Sequence, residues 1–293
     1  MPLKHLIACA LLAVLAACGG HTSPSSTSAH KKVAVVTTIS TFNSFVEAVG
    51  GSHVTVQSLV PVGGSPETYQ PTPQNVATLA QANILVENGA GLEAWLDRTV
   101  RNAGSPDLRI VVGADGLPVK NNNPHLWMDP QLAKRYVLKI RDALIVTDPL
   151  HGNDYRMNAL RYNHQLDQLS KKIARDIDRI PPKQRVMIVF HNAWQYYNDR
   201  FGITTLGFIE PSPGQEPNPQ SIANLVDLAK QHHVRAIFGE PEYSPKLAEQ
   251  IARSAGISIV DNLYDDSVGT DPRVSDYISM LTYDTNEIVK AMQ

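Results

Sequence analysis

Four segments of the sequence place a side chain that can bind a metal ion at the end of a predicted strand or in the loop after it. The side chains are Glu67, His125, His191 and Asp266, with Asp265 as the alternative to its neighbour. Two imidazoles and two carboxylates form a nitrogen and oxygen donor set that suits Mn²⁺, Zn²⁺ or Fe²⁺. Each residue alone is a weak signal, because single histidines at strand ends are more often structural and loop acids are usually solvated. Their number and shared placement predict one metal site.

The elements around these residues predict an α/β fold with two lobes. Short β-branched runs alternate with segments of helical periodicity over residues 33–112 and again over residues 185–260, which is typical of mostly parallel sheets with flanking helices. Over residues 153–180, apolar residues recur every three or four positions until Pro181, which predicts one long helix that joins the lobes. Sheets of this kind bind ligands at the carboxyl ends of their strands. We therefore expect the candidate ligands to meet in a cleft, two from each lobe.

The N-terminus predicts export and lipidation. Lys4 precedes a short apolar run that is too brief to span a bilayer, and Leu15-Ala16-Ala17-Cys18 follows it. This end resembles a bacterial lipobox, with Cys18 as the lipidated residue; the alternative is an ordinary signal peptide cleaved after an alanine. The polar residues 20–31 predict a flexible tether. The expected segments are a signal peptide at 1–18, a tether at 19–32, an N-terminal α/β lobe at 33–150, a linking helix at 151–181 and a C-terminal α/β lobe at 182–293.

Composition restricts the chemistry and the partners. The only cysteines are Cys9 and Cys18, so the mature body has neither a disulfide nor a thiolate ligand. The 26 Lys and Arg residues nearly balance the 28 Asp and Glu residues without a basic run, which argues against nucleic acid as a partner. No segment after the signal predicts a membrane-spanning helix.

Several motifs together resemble one known family, the metal-binding solute-binding lipoproteins of ABC importers, which include zinc and manganese receptors. The motifs are PETYQPTP at 66–73, NPHLWMDP at 123–130, FHNAWQYY at 190–197 with FGI at 201–203, EPNP at 216–219, and FGEPEYSPKLA at 238–248. The resemblance implies two α/β lobes joined by one long backbone helix. It also implies a monomeric receptor without enzymatic activity, anchored on the extracytoplasmic face of the cell membrane, which delivers Mn²⁺ or Zn²⁺ to an ABC importer permease.

The resemblance also implies a role for each candidate ligand. His125 and His191 match ligating histidines, and Asp266 matches a ligating aspartate. Glu67 stands where the family usually has histidine, and Glu210 lies near a position from which some members supply a ligand, so it is a reserve candidate. A carboxylate in place of an imidazole makes the site harder, which favours Mn²⁺, although Zn²⁺ binds most N/O sites more tightly.

Two other functions are compatible with parts of the sequence. A receptor for an organic metal chelate would need aromatic or basic walls; Trp127 and Trp194 flank the candidate ligands, but no arginine cluster accompanies them. A metal-dependent hydrolase would use an open metal position to activate water, but the sequence has no His-Glu-x-x-His motif, and nothing in it places Glu240 or Glu242 near such a water. A role in adhesion is neither supported nor excluded.

Overall fold

A computed structural model describes residues 31–210 and 214–293 of the chain. The predicted signal peptide, Cys18 and nearly all of the predicted tether lie outside the described residues. Within the described part, no helix combines the length and the hydropathy that crossing a membrane would require.

The first lobe is built on a parallel sheet of four strands in the order β2-β1-β3-β4. The strands are β1 (Val33–Thr37), β2 (Val54–Ser58), β3 (Ile84–Glu87) and β4 (Arg109–Val112), and the helices are α1 (Ser40–Gly50), α2 (Pro73–Ala80), α3 (Leu96–Ala103) and α4 (Pro130–Thr147). Central strand β1 is nearly fully buried, and its Val35 pairs with Val56 on one side and Ile84 on the other. A run of β-branched residues suits this position because both of its faces are covered.

The second lobe repeats the same plan, with a parallel sheet in the order β6-β5-β7-β8. The strands are β5 (Val186–Val189), β6 (Thr204–Phe208), β7 (Ala236–Phe238) and β8 (Ser258–Val260), and the helices are α6 (Gln195–Phe201), α7 (Pro219–Gln231), α8 (Lys246–Ala255) and α9 (Tyr277–Met292). The predicted fold class, two parallel α/β lobes, is confirmed.

One long helix, α5 (Gly152–Ile177), joins the lobes. The residues of its buried stripe step by three or four positions, as the sequence predicts: Tyr155, Ala159, Tyr162, Leu166, Leu169, Ile173 and Ile177. The stripe is covered on one side by α4 and α1 and on another by α9. The helix thus forms a common wall for both halves of the molecule.

Four elements differ from the sequence prediction. Helix α5 ends at Ile177, four residues before the predicted end of the linking helix at residue 181. Helix α4, with 18 residues, was not anticipated. The sequence predicts a helix over residues 92–103, but α3 begins at Leu96, because Ala90 and Gly91 both have positive φ and residues 90–95 form turns. The sequence also predicts a terminal helix over residues 272–292, but α9 begins at Tyr277, because the Asp276 side chain accepts hydrogen bonds from the backbone N–H groups of Ile278 and Ser279 and caps the helix there.

The hydrophobic core is continuous between the lobes. A single cluster of buried side chains extends from Phe45 of α1 through Tyr162 of α5 to Tyr277 of α9. The rings of Phe45 and Tyr277 lie 4.8 Å apart between centroids, in an edge-to-face arrangement. Helix α9, which follows the strands of the second lobe, therefore packs against the first.

Candidate metal centre

The structure brings the four candidate ligands together. Glu67 lies in the loop between β2 and α2, and His125 lies between β4 and α4; His191 follows β5, and Asp266 follows β8. One possible ligand atom from each residue lies within 4.8 Å of those from the other three. The strands are parallel within each sheet, so the loops after them meet on one side of each lobe.

The spacing of these atoms fits a single small cation. The Nε2 atom of His125 lies 3.3 Å from Nε2 of His191, 3.5 Å from Oδ1 of Asp266 and 3.9 Å from Oε1 of Glu67. Four ligands at about 2.1 Å from one ion in a tetrahedron lie about 3.4 Å from one another. The observed distances lie close to that value.

Several carboxylate oxygens of the centre are buried without a hydrogen-bond donor. They include Oε2 of Glu67 and both side-chain oxygens of Asp266. The side chain of Asp266 is 1% exposed and that of Glu67 is 11% exposed. A buried carboxylate without a partner is costly, and a bound dication would remove that cost. The donor chemistry and the unsatisfied oxygens therefore both fit a divalent metal ion.

The imidazole of His125 is oriented by Asn123. Oδ1 of Asn123 accepts hydrogen bonds from the backbone N–H of His125 and, with Nδ1 protonated, from its ring, at 2.9 and 3.0 Å. This arrangement directs Nε2 of His125 toward His191 and Asp266. Nδ2 of Asn123 donates to the carbonyl of Asn192 at 2.5 Å. The residue that orients His125 is therefore hydrogen-bonded to the neighbour of His191.

The imidazole of His191 has a charged partner instead. Its Nδ1 atom lies 2.5 Å from Oε2 of Glu240 and 4.0 Å from Oδ2 of Asp265. Both acids are essentially inaccessible to solvent. Neither Glu240 nor Asn123 was identified as a site residue in the sequence, although Glu240 follows β7 just as His191 follows β5.

The acids around the centre shift its protonation equilibria. Burial by itself would lower the pKa of His191, but Glu240 and Asp265 outweigh burial and raise the pKa well above the usual histidine value. Burial raises the pKa of Glu67, with His125 opposing the shift and Asp266 adding to it. The pKa of Glu242, a neighbour of the centre, is raised to about 7, mainly by burial. Without a metal ion, the centre therefore retains protons that a cation would displace.

The loop that carries Asp266 follows a strand of the second lobe but is hydrogen-bonded to the first. The carbonyl of Asp265 accepts from Nε1 of Trp127 at 3.0 Å. The backbone N–H of Val268 donates to Oγ of Ser40 at 3.1 Å, and the backbone N–H of Gly63 donates to Oγ of Ser267 at 3.2 Å. The aspartate is therefore held in place by both lobes.

The two remaining candidates lie outside the group of four. Asp265 forms a second cluster with His191 and Glu240, on the far side of the imidazole. Glu210 is 8% exposed and lies just beyond β6; burial raises its pKa, and the backbone N–H groups of Gly214 and Gln215 oppose the shift. Its Oε2 atom has no hydrogen-bond partner.

Comparison with known proteins gives consistent matches over nearly the whole chain. The family model of ZnuA, described as the periplasmic component A of a zinc-uptake complex, matches residues 35–291. The manganese-binding lipoprotein MntA of Halalkalibacterium halodurans is 29% identical over 284 residues, which cover 95% of this chain and 94% of that protein. The iron-binding protein YfeA of Yersinia pestis is 28% identical over 276 residues, covering 92% and 88%. A crystal structure of ZnuA superposes with a TM-score of 0.81 at 29% identity, covering 89% of this chain and all of that one.

Proposed function

The chain belongs to the ZnuA family of periplasmic metal-uptake components, and from this premise we propose that it is an extracytoplasmic receptor that binds one Mn²⁺ or Zn²⁺ ion and delivers it to an ABC importer. The convergence of Glu67, His125, His191 and Asp266 on one small volume carries the proposal. Relatives named for manganese and iron match nearly the full length of the chain, and a ZnuA structure shares its fold. The metal ion is the cargo of the receptor.

Binding requires neutral imidazoles and ionised carboxylates. Each group that is protonated in the free protein must lose its proton before it can bind the ion. The two carboxylates then balance the charge of a dication, while the two imidazoles supply neutral nitrogen donors. Metal affinity should therefore weaken at acidic pH, below the range in which histidine titrates.

The donor set favours Mn²⁺ as the physiological cargo. Two carboxylates and two imidazoles make a harder site than one carboxylate and three imidazoles, and hard oxygen ligands suit Mn²⁺. Zn²⁺ nevertheless binds most such sites more tightly, so both ions, and Fe²⁺ with them, should bind the purified protein.

The proposed location is the extracytoplasmic face of the cell membrane, with a lipid on Cys18. Relatives that match most of the chain are named lipoproteins, and the residues before Cys18 support the same processing. Mass spectrometry of the N-terminal peptide from membranes should show a lipid-modified Cys18. A Cys18→Ala chain found unprocessed, or released from the membrane, would agree with this proposal, whereas a wild-type chain with an unmodified cysteine would contradict it.

Elemental analysis of protein purified without chelator tests the function directly. We expect about one equivalent of metal in the wild-type chain and near-background metal in His125→Ala and His191→Ala. The Glu67→Ala change should lower metal content less, because a water molecule can replace one carboxylate oxygen. His164→Ala is a matched control, since His164 is exposed on α5, away from the centre. Wild-type metal content in both histidine variants, or steady ester or phosphate hydrolysis by the zinc-loaded protein, would count against a receptor.

A further inference from the structure

Glu240 belongs to the second cluster, which it forms with His191 and Asp265 beside the candidate metal centre. It follows β7 and is 3% exposed, and its carboxylate approaches the side of His191 that faces away from the other candidate ligands. The proposed function assigns no role to this residue. Burying a carboxylate costs free energy unless its contact with the imidazole offsets that cost through a hydrogen bond or a charge interaction.

The two ring nitrogens of His191 face different partners. Nε2 lies 3.3 Å from Nε2 of His125 and so points into the metal centre. Nδ1 lies 2.5 Å from Oε2 of Glu240. A single proton on Nδ1 satisfies both sides, because the ring then donates to Glu240 and keeps a lone pair on Nε2 for a cation.

A second metal ion between His191 and Glu240 does not fit this geometry. Two ligand atoms bound to one ion at about 2.1 Å in a tetrahedron lie about 3.4 Å apart, whereas Nδ1 and Oε2 are separated by 2.5 Å. A separation this short fits direct hydrogen bonding between the ring N–H and a carboxylate, since charge-assisted bonds are shorter than neutral ones. The cluster of His191, Glu240 and Asp265 therefore supports the ligand and is not a second binding site.

We propose that Glu240 is a positioning residue for the metal centre, whose carboxylate holds the Nδ1 proton of His191 and so presents Nε2 to the cation. The inference rests on the proposed function, because it assumes that His191 binds the metal ion. A carboxylate behind a ligating imidazole fixes its tautomer and makes it a stronger donor. His125 is backed only by the neutral amide of Asn123, so His191 is the stronger of the two nitrogen ligands.

Glu240→Gln separates charge from shape. Glutamine has nearly the same size, and its amide oxygen can still accept a hydrogen bond from Nδ1–H, but it carries no negative charge. We expect Mn²⁺ and Zn²⁺ affinities, measured by competition titration on the mature chain at pH 7.5, to fall about 10- to 100-fold. Glu240→Ala should bind more weakly still. Glu249→Gln, the same change at a partly exposed residue on α8 that pairs with Arg253, should bind as wild type.

Histidine NMR supplies a readout that a purely structural role would not change. In zinc-loaded protein with ¹⁵N-labelled histidines, long-range ¹H–¹⁵N spectra should show His191 protonated at Nδ1, with a strongly downfield Nδ1 proton. That proton should move upfield in Glu240→Gln. The wild-type spectrum alone tests the tautomer, so the inference stays testable even if a variant does not fold.

The outcomes separate the inference from the proposed function. A wild-type chain that binds no divalent metal ion would overturn the proposed function and this inference with it. A different set of results would overturn only the role of Glu240. In that case the wild-type chain would bind metal through His125 and His191, but Glu240→Gln would leave both the affinity and the His191 spectrum unchanged. Protonation of His191 at Nε2 in the zinc-loaded protein would do the same.

Discussion

Glu67 is the residue that most distinguishes this centre. Its side chain is 11% exposed, against 5% or less for the other three candidates, so it is the candidate ligand most exposed to solvent. Oε1 faces Nε2 of His125 at 3.9 Å, and Oε2 has no hydrogen-bond partner. A ligand near solvent can be substituted without disturbing the buried ligands. Position 67 is therefore one at which a substitution can alter the metal preference.

Replacing Glu67 with histidine should shift the preference of the centre towards zinc. The change supplies a third imidazole and removes one negative charge, so the donor set becomes softer. We expect the ratio of Zn²⁺ to Mn²⁺ affinity to rise by about tenfold or more, equivalent to about 1.4 kcal/mol. Competition titrations with both ions at pH 7.5 measure the ratio. Glu67→Gln is the control, because it removes the charge without adding a nitrogen donor; an equal shift in both variants would show that charge alone sets the preference.

The sequence was sufficient to find the side chains that converge, but not those that hold them. Glu67, His125, His191 and Asp266 each follow a predicted strand, and parallel sheets bring such positions together. Asn123 and Glu240 act through contacts between segments that are distant in sequence: Nδ2 of Asn123 reaches the carbonyl of Asn192, and Glu240 reaches the ring of His191. Periodicity carries no information on such contacts.

Among the elements, the loop after β8 shows why the two lobes cannot be treated as independent halves of the site. Its residues 265–268 are hydrogen-bonded to Trp127, Ser40 and Gly63 of the first lobe. The indole N–H of Trp127 satisfies the Asp265 carbonyl, which is buried beside the centre. Separation of the lobes would break these bonds. We therefore expect metal binding to shift the loops slightly, without a wide separation of the two lobes.

Asp129 joins an element to its neighbour across the lobes. Its side chain caps α4 by accepting from the backbone N–H of Gln131 at 2.8 Å, and it accepts three hydrogen bonds from Arg200 of α6 at 2.7 to 3.0 Å. The aspartate side chain is 6% exposed, whereas Arg200 is 42% exposed. The interaction combines a helix cap with a bidentate ion pair, which is the strongest form of such a contact.

Asp129→Ala should therefore destabilise the protein markedly. Loss of the cap and of the partly buried ion pair should lower the free energy of unfolding by about 2 to 3 kcal/mol. Urea unfolding of the metal-free protein at pH 7, followed by circular dichroism, measures the change. Arg253→Ala is a matched control, because its pair with Glu249 lies on the surface of α8 and contributes about 0.5 kcal/mol or less. Equal effects in the two variants would contradict the role given to Asp129.

Elements were predicted best where the signal is local. The stripe of buried residues in α5 follows from sequence spacing, although the helix ends at Ile177, before the predicted stop at Pro181. The unanticipated α4 carries similar signals: Asp129 as its cap, Pro130 at its first turn and buried Tyr136, Ile140 and Leu144 at helical spacing. These signals are local, so this helix was predictable from the sequence. In contrast, the start of α3 depends on Ala90 adopting a positive φ, a conformation that its residue type does not predict.

At the scale of the whole molecule, both lobes contribute to one hydrophobic core and to one candidate metal centre. Helix α9 packs on α5 and α1, and the aromatic contact of Phe45 with Tyr277 lies in the same cluster as residues of both lobes. The long linking helix is thus packed along its length and is not a free hinge. Stability and metal binding should consequently be coupled, because a ligand that binds only the folded chain stabilises all of it.

The protonation of buried acids gives this coupling a definite pH dependence. The pKa of Glu242 and the pKa of Glu87 are both raised to about 7, in each case mainly by burial, and the pKa of His191 is raised as well. A group whose pKa is raised on folding stabilises the fold fully below its unfolded pKa, and that stabilisation is lost as the pH rises through the folded value. For the two glutamates, the loss begins near their usual pKa of 4.5 and is complete above about 7.

The metal-free protein should therefore be more stable at pH 5.5 than at pH 8. The Glu242 contribution alone is on the order of 2 kcal/mol, which corresponds to a fall of about 5 °C in melting temperature. Calorimetry of chelator-treated protein measures it, and Glu242→Gln should flatten the dependence because it removes one of the titrating groups. Saturating Mn²⁺ should raise the melting temperature more at pH 8 than at pH 5.5, since protons no longer compete for the ligands. The opposite result would be a metal-free chain that becomes more stable between pH 5.5 and pH 8. In that case the buried acids ionise in the folded state without a free-energy cost, and the centre does not need a cation to offset their charge.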